Sequence, residues 1–123
     1  MAKILLVEDE QIVRTFIKQV LEIESHEVQE ACNGKEALEK CKSHPVDLII
    51  TDLIMPHKEG IEVIMDLRRN YPAVKIIAIS GGGQRGSQDY LKLAKSLGAD
   101  STLAKPFSNQ DLLEAVNIVL KMI

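Results

Sequence analysis

At 123 residues, 46% of them apolar, the chain has the size of one domain able to bury its own core. A formal net charge of −3 argues against direct binding of nucleic acid or an anionic membrane, and two Tyr, two Phe and no Trp leave no aromatic platform on which bases could stack. Cys32 and Cys41 have neither metal-ligand nor redox spacing and are expected as packed, reduced thiols, which suits a cytoplasmic protein; the sequence shows no export signal and no apolar run of a membrane-spanning length.

Lys3-Ile4-Leu5-Leu6-Val7 is a continuous apolar run closed by Glu8-Asp9-Glu10, the pattern of a strand covered on both faces. Ile12, Val13, Phe16, Ile17, Val20 and Leu21 then recur at helical spacing, with Arg14, Lys18 and Glu22 on the opposite face. Glu27 to Ala31 alternates weakly and predicts a second, more exposed strand. Asn33 followed by Glu36 has the form of an N-cap, and Ala37, Leu38 and Cys41 carry a short helix to the His44-Pro45 break. Val46 to Asp52 predicts a third strand, buried and ending on a carboxylate, with Pro56 closing off any regular element soon after.

Ile61, Ile64, Met65 and Leu67 form the apolar side of a third helix that stops at Asn70-Tyr71-Pro72, and Lys75 to Ser80 is a fourth strand of buried type. Gly81 to Gly86 holds four glycines in six residues, too permissive a backbone for a regular element. A fourth helix follows from about Ser87 to Leu97, with Gly98 placed for the left-handed conformation at its end. A fifth strand spans about Asp100 to Ala104. Ser108 and Asp111 have capping-box spacing before a last helix marked by Leu112, Leu113, Val116, Val119, Leu120 and Ile123. Five strand-helix pairs without a linker predict a single α/β domain over residues 1–123, a doubly wound five-stranded parallel sheet with helices on both faces.

In open parallel sheets the ligand crevice lies outside the carboxyl ends of the strands. Glu8 and Asp9 follow strand one, Asp52 ends strand three, Ser80 ends strand four and Lys105 follows strand five. Singly, each has an ordinary account as a turn, helix-end or solvated residue; together they converge on one edge of one sheet. Three crowded carboxylates repel unless a cation intervenes, and a set of oxygen donors without His or Cys selects a hard ion, Mg2+ above all, with Mn2+ also accommodated. Such an ion lets Asp52 approach a phosphoryl group as a nucleophile, with Lys105 and Ser80 as donors to its other oxygens.

These residues resemble the receiver domain of two-component response regulators, including the single-domain chemotaxis type. The resemblance is carried by Ile4 to Glu10, Asp52-Leu53-Ile54-Met55-Pro56 with Gly60, Ser80-Gly81, Gly98-Ala99-Asp100 and Lys105-Pro106-Phe107, and it covers essentially the whole chain. It implies the flavodoxin-like strand order 2-1-3-4-5 and a cis peptide before Pro106. It also implies that Asp52 is the phosphoacceptor, that Glu8 and Asp9 bind Mg2+ together with Asp52 and the backbone carbonyl of Ile54, and that Ser80 and Lys105 contact the phosphoryl group. The phosphoryl donor is then a histidine kinase or a histidine phosphotransfer protein, and the output is altered binding to a downstream protein that the sequence does not name.

The chain departs from the family pattern at Glu8, where Asp is common, and at Thr102, where many members carry a Tyr or Phe that reports phosphorylation. The glycine-rich loop also runs about three residues longer than usual, so the signal is expected to pass through that loop and the fourth helix. His57 and Arg85 are expected to face solvent. We expect a stand-alone switch that promotes its own phosphorylation and dephosphorylation but is not a turnover enzyme, with homodimerisation left open. Two alternatives stand beside it: a constitutive, phosphorylation-independent binding module, and a phosphohydrolase with an Asp nucleophile, for which Ile54 occupies the position of the usual second acid.

Overall fold

A computed structural model describes residues 2–53, 60–80 and 87–122, and of residues 60 and 87–91 the backbone alone. The elements run β1 (Lys3–Val7), α1 (Gln11–Ile23), β2 (Glu27–Ala31), α2 (Gly34–Ser43), β3 (Leu48–Asp52), α3 (Gly60–Asn70), β4 (Lys75–Ser80), α4 (Ser87–Leu97), β5 (Ser101–Ala104) and α5 (Asn109–Leu120). All strand pairs are parallel and the order is β2-β1-β3-β4-β5. The alternation of strand side chains sends successive residues into two separate cores. Leu5, Val7, Ile49, Ile76 and Ala78 pack with Ala37 and Cys41 of α2, Val63, Ile64 and Leu67 of α3 and Ala94 of α4. Ile4, Leu6, Leu48, Ile50, Ile77 and Ile79 pack with Ile17, Val20 and Leu21 of α1 and Leu112, Val116 and Val119 of α5.

Because β1, β3 and β4 are covered on both sides, their near-continuous apolar runs are what such strands require, whereas β2 at an edge keeps Val28, Gln29 and Glu30 only half-buried. Local chemistry sets the helix starts. The Asn33 side chain accepts from the Glu36 N–H at 2.9 Å, and Ser108 and Asp111 form the reciprocal capping box at α5. Gly98 ends α4 with φ +122°, and a Cβ there would lie 2.7 Å from Cγ of Arg68. Arg68 uses that close approach: Nε donates to the Gly98 carbonyl at 2.8 Å and Nη2 to Asp100 Oδ2 at 2.5 Å, tying α3 to the turn before β5. The Lys105–Pro106 peptide is cis.

Three expectations need correction. Ile12, 87% exposed, and Phe16 lie outside the core, because the part of the α1 apolar arc that packs toward the sheet is Val13, Ile17, Val20 and Leu21. Met65 is likewise exposed, whereas Ile64 and Leu67 beside it are fully buried. Cys41 is packed, and burial pushes its thiol up to about 11. Cys32 instead sits at the surface, where its Sγ donates to Glu36 Oε2 at 3.1 Å and that bond raises its pKa.

Candidate functional site

Three loops at the carboxyl edge of the sheet bring together most of the residues singled out above. Asp52 is the last residue of β3, 6% exposed, and shares the side of the strand taken by Leu48 and Ile50. Glu8, the residue after β1, is 1% exposed. Asp9 beside it is exposed, so the acidic pair has one member inside the crevice and one at its mouth. One carboxylate oxygen from each of Glu8, Asp9 and Asp52 lies within 4.8 Å of the others.

Lys105, after β5, supplies the cation of the crevice: its Nζ donates to Glu8 Oε1 at 2.9 Å and to Asp52 Oδ2 at 3.0 Å. The backbone delivers it there, since the Lys105 N–H donates to the carbonyl of Ser80 at 2.8 Å and thereby continues the β4–β5 ladder by one step. Ser80 is fully buried, and its Oγ has no hydrogen-bond partner among the described residues. A buried hydroxyl without a partner costs about 1 to 3 kcal/mol, so Ser80 at the end of β4 has a donor to offer.

Every polar atom of Glu8 is engaged. Its N–H donates to Ala31, its carbonyl accepts from Arg14 Nη1 at 2.7 Å, Oε2 accepts from the Glu10 N–H at 3.2 Å and Oε1 holds Lys105. Burial pushes the Glu8 carboxyl up to about 7, with the hydrogen bond to Lys105 opposing it and the charge of Asp52 adding to it. Burial alone would lower Lys105, but its bonds to Glu8 and Asp52 outweigh that and hold its pKa above the ordinary value. One ammonium divided between two carboxylates does not neutralise three, and burial together with the charge of Asp52 favours the protonated form of Glu8.

The donor set fits a hard divalent cation. Glu8, Asp9 and Asp52 offer an all-oxygen set of carboxylates, one oxygen from each within 4.8 Å of the others, that could hold such an ion. The carbonyl of Ile54, the fourth expected ligand, lies outside the described residues, as do His57 and the loop from Gly81 to Gly86 with Arg85. Thr102 lies in β5 opposite Ala78 and is half-buried. Sequence reasoning missed Arg14 and Glu30 as neighbours of the site: it put Arg14 on the outward face of α1, yet the guanidinium folds back onto the acidic turn.

Fold and site together define a flavodoxin-like α/β domain with a carboxylate crevice at the carboxyl edge of its parallel sheet. A family model described as the response regulator receiver domain matches residues 4–117. The chain belongs to that family, the receiver domains of two-component signalling. It is 35% identical over 121 residues to the chemotaxis protein CheY of Halobacterium salinarum, with 98% of each chain covered. It is 38% identical over 122 residues to the response regulator ArlR of Staphylococcus saprophyticus, where it spans 98% of its own length but about half (53%) of the relative's. A response regulator receiver domain structure from Clostridium thermocellum superposes with a TM-score of 0.91 at 32% identity, over 99% of this chain and 96% of that one. Among the described residues no helix is long and apolar enough to cross a membrane.

Proposed function

We propose that residues 1–123 form one cytoplasmic receiver domain that takes a phosphoryl group onto Asp52 from a histidine kinase or histidine phosphotransfer protein and signals through altered contacts with a downstream protein. The observation that carries this reading is the crevice itself: a nearly buried aspartate paired at 3.0 Å with Lys105 and close to two more acids, at the sheet edge where Ser80, a buried hydroxyl without a partner among the described residues, ends β4. An oxygen of Asp52 attacks the phosphorus of a phosphohistidine; the O–P bond forms, the P–N bond breaks, and the imidazole nitrogen leaves with the electron pair and takes a proton from solvent. Lys105 moves from the carboxylate to a phosphoryl oxygen, a shift within the reach of its flexible stem, and the Ser80 hydroxyl donates to another. Glu8, Asp9 and Asp52, with the carbonyl of Ile54, would hold a Mg2+ or Mn2+ ion, which would offset the negative charge shared by attacking carboxylate and phosphate. Attack by water later releases inorganic phosphate and regenerates Asp52.

Incubation with Mg2+ and a small acyl phosphate, followed by intact mass and phosphate release, tests the reading. A gain of one phosphoryl group by the wild type, absent from Asp52→Asn, is expected. Rapid release over many turnovers would support a phosphohydrolase. No label from either the small donor or histidine kinases would leave a constitutive binding module.

A further inference from the structure

Arg14 belongs to α1, and its side chain is only 16% exposed. Its Nη1 donates to the carbonyl of Glu8 at 2.7 Å, and its Nε pairs with Glu30 Oε1 on β2 at 3.3 Å. The other oxygen of Glu30 holds Lys18 at 3.1 Å, and this bond, with Arg14 adding to it, keeps the Glu30 carboxyl below the usual range and therefore ionised at neutral pH. The guanidinium is thus held by a fixed charge on one side while it grips a main-chain oxygen with the other.

The carbonyl it grips is that of the peptide joining Glu8 to Asp9. A peptide group is planar, so holding its oxygen restricts rotation of the plane that contains both Cα atoms, and with it the directions open to both acidic side chains. The N–H of Glu8, bonded to Ala31 at 3.0 Å, anchors the preceding peptide to β2. Arg14 is the contact on the other side, and none of the proposed ligands or phosphoryl contacts supplies it.

We propose that Arg14 is a positioning residue for the cation site, setting the separation and aim of the Glu8 and Asp9 carboxylates through the peptide between them. This rests on the reading of those two acids as cation ligands. Charge and geometry make opposite demands here. Removing a positive charge near a cation site tightens binding by Coulomb's law, whereas loss of an orienting hydrogen bond loosens it, typically by tenfold or more.

Mg2+ titration by calorimetry, alongside urea unfolding of the metal-free protein, decides between them. Arg14→Ala is expected to weaken Mg2+ by about tenfold with the rate of phosphoryl uptake from an acyl phosphate restored at saturating Mg2+. Arg14→Lys, which keeps the charge but not the planar fork that holds Glu30 and the carbonyl together, should fall between, about threefold weaker than wild type. Binding by Arg14→Ala as tight as wild type or tighter overturns the proposal, and so does equality of Arg14→Lys with wild type. Should the alanine variant lose its cooperative urea transition, the lysine variant decides alone. A wild type that binds no Mg2+ removes the reading of the acids as ligands and this role with it; a wild type that binds, with unaltered variants, removes this role only.

Discussion

Glu8→Gln should change how the metal-free protein responds to pH, and the sign is opposite to that of most carboxylates. The folded Glu8 carboxyl is pushed up to about 7 from an ordinary 4.5, chiefly by burial. Between those values the folded state carries a proton that the unfolded state has released. The contribution of Glu8 is therefore fully present below pH 4.5 and is lost as pH rises through 7. At about 1.4 kcal/mol per pK unit the full shift corresponds to about 3 kcal/mol, and relaxation of the site reduces this toward about 2 kcal/mol. Glutamine has the shape of the protonated acid and does not titrate, so its stability lacks this slope. Urea unfolding in EDTA at half-unit steps from pH 4.5 to 7.5 measures both proteins. His26, whose pKa burial lowers, titrates in the same window with the opposite slope, but it is common to both and cancels in the difference. The expected result is a wild type that loses about 2 to 3 kcal/mol relative to Glu8→Gln across the range, and a loss that saturating Mg2+ removes by replacing the proton. Parallel curves in EDTA would refute the account of Glu8 as a buried, neutral-range acid.

Two further substitutions separate folding from chemistry. Ser80→Ala removes a buried hydroxyl without a partner among the described residues, so urea stability should be unchanged or raised by up to about 1 kcal/mol, while the rate of phosphoryl uptake followed by intact mass falls about tenfold or more. Gly98→Ala places a Cβ 2.7 Å from Arg68 at φ +122° and should cost about 2 to 4 kcal/mol in urea, with the phosphorylated fraction at saturating donor unchanged in the protein that remains folded.

Where one physical signal decided an element, it could be read from the sequence. Continuous apolar runs are what strands covered on both sides demand, and these placed β1, β3 and β4; the Asn33 and Ser108 caps and Gly98 did the same for helix ends. Position at the carboxyl edge was enough to gather Glu8, Asp9, Asp52, Ser80 and Lys105, since chain order fixes which residues follow each strand. Periodicity was less informative on α1. Six apolar residues form a wide arc there, and spacing does not say which part of the arc faces the sheet, so Ile12 and Phe16 were assigned to a core they do not enter. Arg14 looked like a surface charge for a related reason, and Arg68 was not singled out at all. Their partners, the Glu8 carbonyl with Glu30 and the Gly98 carbonyl with Asp100, come from other elements, and no local pattern announces them.

The bonds of Lys105 to Glu8 and to Asp52 span 97 and 53 residues of chain. The crevice with its lysine is therefore complete only when β1, β3 and β5 stand together in one sheet. A partial fold without β5 keeps Glu8, Asp9 and Asp52 but lacks Lys105, and any ligand that binds only the complete crevice draws the equilibrium toward the complete sheet.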